Sequence, residues 1–429
     1  MDRVMAIESF TPASIADMPV VGEYQNISKT GLAASIVIVS YNSRGHLGRC
    51  LRSVFATIDG NCEVIVVDNA SSDGSADFVA THFPNVKLVR CESNTGFSIG
   101  NNLGARYAKG RYIVGLNPDT EVAPGWLEAL LGPLEAAERQ QTTTGITTAR
   151  VLMMDKPDEV NTCGNITHFS GITICRGLGR PADARELAQV VAVPAISGAC
   201  FALTRSLWDQ LGGFDETYFT YLEDTDLSLR ARLLGYISVY TPNAAVYHSY
   251  TGSFSARKLY YLERNRIIML LKLYRTSTLF AMLPGLALAE VVTWAYALKN
   301  GKGHIAAKWE AYGWLISHRA EVMGKRSEVQ TLRQASDIAL LGVVSWRLDT
   351  VQLAGPLLGR IAGFVLNPIF RATYVLAKTV AGKLEAGRRE TKPGRPMTRR
   401  ASSLASRLSA LPAGIVSIIS RLRANEGTL

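Results

Sequence analysis

Short apolar runs alternate with helical patterns over the first 130 residues of the chain. Four of these runs have the length and the β-branched content of buried strands, and small polar residues follow each of them. The runs cover residues 35–40, 63–67, 86–89 and 111–116. Strands that alternate with helices usually lie parallel, and ligands bind at their carboxyl ends. The pattern therefore predicts an α/β fold in which four polar turns meet at one edge of a mainly parallel sheet.

Helices are predicted between these strands and after them. Leu47, Leu51 and Val54 recur at i, i+4 and i+7, which gives one apolar helix face that can pack on the sheet. Residues 126–137 and 224–234 carry similar patterns. The helical periodicity therefore completes an alternating β/α order for the front of the chain.

Beyond residue 255 the pattern is mostly helical and rich in Leu, Ile, Val and Ala. Residues 279–298 form the most apolar window, with Glu290 inside it. A membrane span needs about 20 apolar residues, and a central acid is costly there. We therefore favour a helix that packs in a core or lies in the plane of a membrane, with a single span as the alternative. A second apolar stretch, 338–370, is interrupted by charges and proline and is expected to lie along an interface.

These patterns divide the chain of 429 residues into four parts. A chain of this length is expected to form two or three structural units. The predicted parts are an N-terminal arm (1–33), an α/β domain (34–255), a helical membrane-associated region (256–383) and a basic tail (384–429). The tail carries nine Lys and Arg against three Glu, so it is expected to be disordered or to form an amphipathic helix.

The net charge of +10 is distributed unevenly. Residues 1–255 hold 19 Lys and Arg against 26 Asp and Glu, a net charge of −7, and the remaining residues carry +17. A basic and apolar rear half is expected to meet an anionic membrane surface, where each Lys or Arg contributes about 1 kcal/mol. The sequence has no zinc finger, RNP signature or basic leucine zipper, so nucleic acid is not expected as a partner.

The six cysteines show neither a CxxC motif nor a paired metal-ligand spacing, and several lie inside apolar runs. They are therefore expected to be reduced, buried thiols. The first thirty residues lack the basic-then-apolar order of a signal peptide. Together these features favour the cytoplasmic side of the cell membrane, with peripheral or monotopic attachment.

Two acids follow predicted strands and are candidates for chemistry. Asp119 lies in the turn 117–120, directly after the run 111–116. There it could share a divalent ion with a diphosphate and so neutralise charge on a departing nucleotide. Asp68 ends the run 63–67, where it could accept a hydrogen bond from a nucleotide base or a ribose hydroxyl. Ordinary turn formation is the alternative for both residues.

Glu223 and Asp224 follow an aromatic stretch, residues 218–221, and begin a predicted helix. The helix dipole favours a carboxylate at this end and keeps it ionised, which suits a base that accepts a proton from a sugar hydroxyl. Simple helix capping is the alternative. His248 follows the strand-like residues 237–240 and could ligate a divalent ion, although a lone histidine is more often structural.

Two stretches rich in glycine are informative for other reasons. Gly96, Gly100 and Gly104 do not have the GxGxxG spacing of dinucleotide-binding folds, and the chain has no GxxxxGK[ST] motif. We expect these glycines to let the backbone approach a ligand closely. Between residues 164 and 193 the periodicity weakens, which predicts a long, mobile loop.

Taken in order, several motifs resemble those of the family 2 glycosyltransferases of the GT-A fold, especially a bacterial rhamnosyltransferase-like branch. The motifs are SIVIVSYNS (35–43), VVDNASSDGS (66–75), SNTGFSIGNNLG (93–104), LNPDTEV (116–122), SGA (197–199), GGFDE (212–216), YLEDTDLSLRAR (221–232) and YYLERN (260–265). Each motif is weak alone, but the ordered set is specific. The resemblance identifies 34–255 as the catalytic domain.

The resemblance implies a role for each matched residue. Asp224, with Glu223 beside it, would act as the general base, and Asp119 and His248 would hold a metal ion. The donor would be bound by Ser40, Tyr41, Asn42, Asp68, Asn69, Asn94, Asn101 and Asn117. Asn117 stands where the family's DxD motif has its first Asp, so the site offers one fewer negative charge. Mg²⁺ or Mn²⁺ is the expected cofactor, bound more weakly than by two acids.

The resemblance also implies the reaction. A sugar, with rhamnose as the first choice, would move with inversion from a dTDP-, UDP- or GDP-linked donor to a glycan or polyprenyl-linked acceptor. Two other functions fit the same fold: a scaffold that only binds sugar nucleotides or glycan, and a nucleotidyltransferase that releases pyrophosphate. The Glu-Asp helix start and the lack of a Gly/Arg-rich nucleotidyl loop argue against the nucleotidyltransferase.

Overall fold

The central sheet contains the four strands that the apolar runs predict. The computed structural model describes residues 32–250, 252, 254–349 and 356–390. In this part of the chain ten strands form one sheet, and β8 and β9 form a separate hairpin. The strands are β1 (Ala34–Ser40), β2 (Cys62–Asp68), β3 (Lys87–Arg90), β4 (Tyr112–Leu116), β5 (Thr120–Val122), β6 (Thr144–Met153), β7 (Val160–Thr162), β8 (Asn165–Thr167), β9 (Thr173–Cys175), β10 (Val191–Val193), β11 (Cys200–Thr204) and β12 (Ile237–His248).

Helices separate the strands and then continue alone after β12. They are α1 (Arg44–Phe55), α2 (Ser75–His82), α3 (Gly96–Tyr107), α4 (Trp126–Gln140), α5 (Arg205–Leu211), α6 (Glu223–Leu233), α7 (Ala256–Leu273), α8 (Thr276–Asn300), α9 (Lys302–Ser317), α10 (Arg319–Leu332), α11 (Asp337–Leu341) and α12 (Pro356–Glu390). The predicted α/β fold with a helical C-terminal region is therefore confirmed.

The sheet has the strand order β10-β12-β6-β11-β4-β1-β2-β3. β1 pairs in parallel with β2 and β4, β2 pairs in parallel with β3, and β6 pairs in parallel with β12. Only β10 and β11 run antiparallel to their neighbours along this path. The carboxyl ends of β1, β2 and β4 consequently lie side by side at one edge of the sheet.

The first strands are buried on both faces because helices cover them. Leu47, Leu51 and Val54 of α1 have no exposed surface, which confirms the helix face that their spacing predicts. On the opposite face α3 lies against β1 and β2, and its glycines make this contact possible. A Cβ atom on Gly100 or Gly104 would lie 2.7 Å or 2.3 Å from Cγ1 of Val39 or Val37, respectively. The expectation that these glycines face a ligand is wrong, because they pack against the protein.

Residues 164–193 are also more regular than predicted. The expected loop contains β8, β9, β10 and a short 3₁₀ helix at Arg185–Leu187. The strands have only three residues each, too few for a periodic pattern to be visible in the sequence. The prediction of one long loop is therefore wrong.

The sheet and the helices that follow it belong to one compact unit. Residues up to 381 form this unit, and a second unit comprises residues 382–429. The expected basic tail, 384–429, lies outside the described residues except for the end of α12, and so does most of the expected arm, 1–33.

A buried ion network joins three of the later helices. Glu263 and Arg266 on α7 meet Glu290 of α8 and Lys308 of α9, with Arg266 Nη2 3.1 Å from Glu263 Oε2 and Lys308 Nζ 3.1 Å from Glu290 Oε2. Among the described helices, α8 alone has the length and composition to cross a membrane, which by itself is a weak indication. Since Glu290 pairs with buried cations, one side of α8 belongs to the protein interior.

The close packing of α3 leads to a test with paired glycine substitutions. Gly104→Ala is expected to lower the midpoint of thermal unfolding, because overpacking a core costs about 1–3 kcal/mol. Gly132→Ala, on α4 with no atom within 4 Å of the added methyl group, is expected to raise it, since Ala favours a helix over Gly by about 1 kcal/mol. Differential scanning fluorimetry measures both midpoints. Equal shifts in the same direction would contradict the assigned packing role.

Candidate active site

Unpartnered polar atoms mark the edge of the sheet where the strands end. Among the described residues, eight buried side-chain nitrogen or oxygen atoms have no hydrogen-bond partner. Five of them belong to predicted site residues: Ser40 Oγ, Asp68 Oδ1, Asn117 Oδ1, Asp119 Oδ1 and Glu223 Oε2. Buried polar groups in folded proteins are nearly always hydrogen-bonded, so this concentration indicates a place prepared for a polar ligand.

The turns after β1 and β2 are tied to each other. Ser40 lies opposite Asp68 in the register of these strands. Asn42 has a left-handed backbone (φ 50°), and its Oδ1 accepts a hydrogen bond from the Ser72 backbone amide at 2.8 Å. The Tyr41 ring beside it is half-exposed. The two turns therefore form one side of the site, with the half-exposed Tyr41 ring at its outer edge.

Three predicted donor-binding asparagines have their amide groups engaged within the protein. Asn69 Nδ2 donates to the Gly96 carbonyl at 2.8 Å, and Asn94 Oδ1 accepts from the Gly96 amide at 3.0 Å. Asn101 Nδ2 donates to the carbonyl of Phe97 at 2.9 Å. Direct donor contact by these residues stays a prediction, and their observed contacts are to the first residues of α3.

Asp119 and His248 are brought together by pairing between distant strands. β5 runs antiparallel to β12, with Thr120 opposite His248. As a result His248 Nε2 lies 3.3 Å from Asp119 Oδ1. The other ring nitrogen, Nδ1, lies 2.9 Å from Asn161 Oδ1, and an asparagine oxygen can only accept a hydrogen bond. Nδ1 therefore donates to Asn161, and in the neutral tautomer the lone pair of Nε2 faces Asp119.

This pair fits a divalent ion of the Mg²⁺ or Mn²⁺ class. Asp119 Oδ1 lacks a hydrogen-bond donor, and Asn161 orients the imidazole in the way that second-shell residues orient metal ligands. No group of three or more His, Cys, Asp or Glu side chains with metal-ligand geometry occurs in the described part of the chain. Such an ion would therefore take its remaining ligands from a diphosphate and water.

Asp224 is held at the start of α6 by donors from other parts of the chain. Its Oδ2 accepts hydrogen bonds from the Gly198 backbone amide at 2.8 Å and from Asn165 Nδ2 at 3.2 Å. The Thr225 amide donates to Oδ1 at 2.6 Å. Burial raises the pKa of Asp224, although these hydrogen bonds favour the charged form and oppose the shift. The carboxylate is thus fixed in position and more basic than an exposed one.

Glu223 has a different environment from its neighbour. It is 5% exposed, and burial together with the charge of Asp224 raises its pKa well above the usual range. When two carboxyl groups lie close together, ionising one disfavours ionising the other. Asp224 is the member of the pair that receives hydrogen bonds favouring the charged form, so it is the better candidate for a base.

Two short segments connect Asp224 to the residues at the strand ends. In residues 197–199 the Gly198 amide donates to Asp224, while the Ala199 carbonyl accepts from the Asn117 backbone amide at 3.0 Å. Between β7 and β8, Asn161 contacts His248 and Asn165 contacts Asp224. These contacts bring the two halves of the predicted site next to each other, with the candidate crevice between them.

The sequence patterns did not identify Asn161, Asn165 or Lys258. The two asparagines lie where no periodicity is visible, and asparagine is common in any turn. Gly198 was found only as part of a family motif. Lys258 Nζ lies 5.3 Å from the centre of the Tyr221 ring, and burial lowers the pKa of this lysine. Lys258 lies in a basic region with many other Lys and Arg residues, so its position in the sequence does not distinguish it from them.

Family models and individual relatives match the part of the chain that carries this crevice. The Glycosyl transferase family 2 model matches residues 35–165, and the Glycosyl transferase family group 2 model matches residues 184–301. An N-acetylglucosaminyl-diphospho-decaprenol L-rhamnosyltransferase of Mycobacterium tuberculosis is 30% identical over 235 residues, which cover 50% of this chain and 75% of that protein. The chain belongs to glycosyltransferase family 2. The family and enzyme class predicted from the motifs are confirmed.

Other similarities of this glycosyltransferase are more distant. A low-salt glycan biosynthesis hexosyltransferase of Haloferax volcanii is 27% identical over 203 residues, covering 46% of this chain and 61% of the relative. The crystal structure of GalNAc-T7 with UDP, GalNAc and Mn²⁺ aligns with a TM-score of 0.47 at 19% identity, over 60% of this chain and 51% of the other. Membership of family 2 agrees with the predicted GT-A fold and with the mainly parallel sheet.

The Asp119–His248 pair leads to a test of metal-dependent binding. His248→Ala and Asp119→Ala are each expected to weaken Mn²⁺-dependent binding of dTDP by about tenfold to a hundredfold, because each removes a ligand from the ion. Binding without Mn²⁺ should stay unchanged. Calorimetry with and without MnCl₂ measures both affinities, and His82→Ala, at an exposed position of α2, is the matched control. Unchanged Mn²⁺ dependence in both variants would exclude this pair as the metal site.

Proposed function

We propose that this glycosyltransferase moves a sugar from a nucleotide-diphosphate donor to a hydroxyl of a glycan or polyprenyl-linked acceptor in cell-surface polysaccharide synthesis. Rhamnose linked to dTDP is the first choice of donor. The proposal is supported by the link from Asp224 through residues 197–199 to the Asn117 turn, and by the unpartnered atoms of Ser40, Asp68 and Asn117. The name of the Mycobacterium tuberculosis relative, which describes rhamnose transfer to a diphospho-decaprenol-linked sugar, supports the choice.

The donor is expected to lie along the carboxyl ends of β1, β2 and β4. The free Oδ1 of Asp68 is suited to accept a hydrogen bond from a base N–H or a ribose hydroxyl, with Ser40 beside it. The half-exposed Tyr41 ring offers a face on which a base can stack. Asp119 and His248 would hold the metal ion, which when bound supplies positive charge to the diphosphate.

Asp224 is proposed as the general base of a single displacement. Its carboxylate takes the proton of the acceptor hydroxyl while that oxygen bonds to the anomeric carbon of the donor. The bond from this carbon to the diphosphate oxygen breaks on the opposite side, so the configuration inverts. General-base assistance typically contributes about 10²–10⁴-fold to the rate. The hydrogen bonds from Gly198 and Asn165 keep the carboxylate in the orientation that this step needs.

A membrane-bound acceptor is consistent with the outer face of α8. Phe280, Leu283, Val291 and Leu298 are 67%, 51%, 63% and 64% exposed and recur at helical spacing on one side. Trp309 of α9 is 64% exposed, and its ring lies 5.3 Å from that of Trp294 on α8.

Apolar surface of this extent usually marks an interaction site. The surface lies in the half of the chain that carries +17, and the exposed Lys299 and Lys302 stand at the end of α8. We therefore propose that the helices lie in the surface of an anionic bilayer, on the cytoplasmic side.

The proposed base predicts the effect of Asp224→Asn. The variant should bind dTDP as the wild type does and lose about 10²–10⁴-fold in the rate of transfer. In the wild type the rate should fall as the pH drops through a pKa above the usual range of Asp, because only the ionised carboxylate accepts the proton.

Chromatographic detection of released nucleotide and glycosylated acceptor across a donor panel measures this effect, with Asp209→Asn at an exposed position of α5 as the control. Near-normal transfer by Asp224→Asn would remove the assigned base. Release of pyrophosphate would favour the nucleotidyltransferase, and binding of sugar nucleotides without turnover would favour the scaffold.

The apolar face of α8 predicts the behaviour of full-length variants with vesicles. Leu283→Glu combined with Val291→Glu should reduce co-sedimentation with vesicles that contain phosphatidylglycerol, because two charges would have to enter the apolar layer. Val190→Glu, which changes an apolar residue that is 57% exposed in the α/β part, should sediment as the wild type does. Undiminished sedimentation of the double variant would contradict membrane attachment through this face.

A further inference from the structure

The turn that leads into α6 has an unusual backbone. Tyr221 and Leu222 both have φ of 69°, in the left-handed region that residues other than glycine rarely adopt. They are the only consecutive non-glycine pair with positive φ in the described part of the chain. Glu223 and Asp224 follow directly and form the first turn of α6. The position of Asp224 therefore depends on a conformation that these residues do not favour on their own.

One side chain from α7, Asn265, forms hydrogen bonds with the backbone of this turn. Asn265 is fully buried, and its Nδ2 donates to the carbonyls of Thr220 at 2.8 Å and Tyr221 at 2.7 Å. Its Oδ1 accepts a hydrogen bond from Arg264 Nε at 3.0 Å, which fixes the orientation of the amide. In all three hydrogen bonds the amide nitrogen donates or the amide oxygen accepts, as the chemistry of asparagine requires.

Neighbouring contacts hold the segment before the turn. Arg264 Nη2 donates to the Thr217 carbonyl at 2.8 Å. From the other side, Ser98 Oγ of α3 donates to the Tyr218 carbonyl at 2.8 Å. Neither of these two contacts reaches residues 220–222. Among the described hydrogen bonds, those from a side chain to the left-handed turn itself come from Asn265.

We propose that Asn265 is a positioning residue for the catalytic base: its amide fixes the left-handed turn at residues 220–222, so that α6 begins at Glu223 and Asp224 meets the Gly198 amide. The proposal rests on the proposed role of Asp224. It gives a function to the YYLERN motif, which lies outside the crevice and touches neither donor site nor metal ligands.

The geometry requires a donor at this position. Asn265→Asp has the same size, but it would direct a carboxylate oxygen at two carbonyl oxygens. Asn265→Ala removes the contacts without adding a charge. In both variants the turn can relax, and Asp224 then separates from Gly198.

We expect Asn265→Ala to lower kcat by about tenfold to a hundredfold, as small displacements of reacting groups do. The affinity for dTDP with Mn²⁺, measured by calorimetry, should change by less than about twofold, because no strand-end residue is altered. Loss of the Gly198 hydrogen bond also raises the pKa of Asp224, so the acid limb of the rate profile should move to higher pH. Hydrogen exchange at the amides of residues 223–226 should become faster.

A second substitution separates the effect on the turn from a general loss of stability in Asn265→Ala. Adding Tyr221→Gly should restore part of the rate, since glycine adopts positive φ without strain. Thr278→Val is the matched control, because it removes a buried hydrogen bond to Asp337 in the same helical region. It should lower the melting temperature without the change in pH profile.

Each outcome decides the proposal. Wild-type kcat and wild-type hydrogen exchange in Asn265→Ala would overturn it, and so would the same losses in Thr278→Val. If the wild-type enzyme transfers no sugar from any donor, the proposed function fails, and hydrogen exchange at residues 223–226 still decides whether Asn265 holds the turn.

Discussion

The hydrogen bond from the Gly198 amide to Asp224 joins the two halves of the site. One half is made by the carboxyl ends of parallel strands, where the polar residues of adjacent turns must lie near each other. The other half is the start of α6, which is far away in sequence and has no such constraint. Because the 197–199 segment also accepts from the Asn117 amide, it fixes the carboxylate relative to the donor side of the crevice. The proposed direct displacement needs such a connection, since base and leaving group would act on opposite sides of one carbon.

The parts of the fold that follow from local patterns could be predicted. β1 to β4 and α1 have enough residues for a strand or helix period to be visible, and their order determines that Ser40, Asp68 and Asn117 share an edge. The contact between Asp119 and His248, in contrast, does not follow from a local sequence pattern. It depends on antiparallel pairing of β5, three residues long, with the end of β12, and the sequence signals neither. Only the resemblance to a family suggested that pair.

The same limit explains the residues that sequence patterns missed. Asn161 and Asn165 act because short strands bring them to His248 and Asp224, and nothing about an asparagine in a turn distinguishes these two from others. The spacing of the glycines of α3 does not distinguish two cases, since close approach to a ligand and close approach to a β-sheet require the same small residue. The apolar window around Glu290 was ambiguous until its partners Arg266 and Lys308 were known, because a paired acid can lie inside a helix bundle.

The contact between α7 and the turn before α6 determines how far along the chain the part that holds Asp224 extends. A fragment that ends with β12 would contain every predicted site residue, yet it would lack the Asn265 amide that binds the turn before Asp224. A junction after Leu273 would keep this amide, but it would separate Glu263 and Arg266 from their buried partners Glu290 and Lys308. The part of the chain that positions Asp224 thus extends at least one helix beyond the sheet.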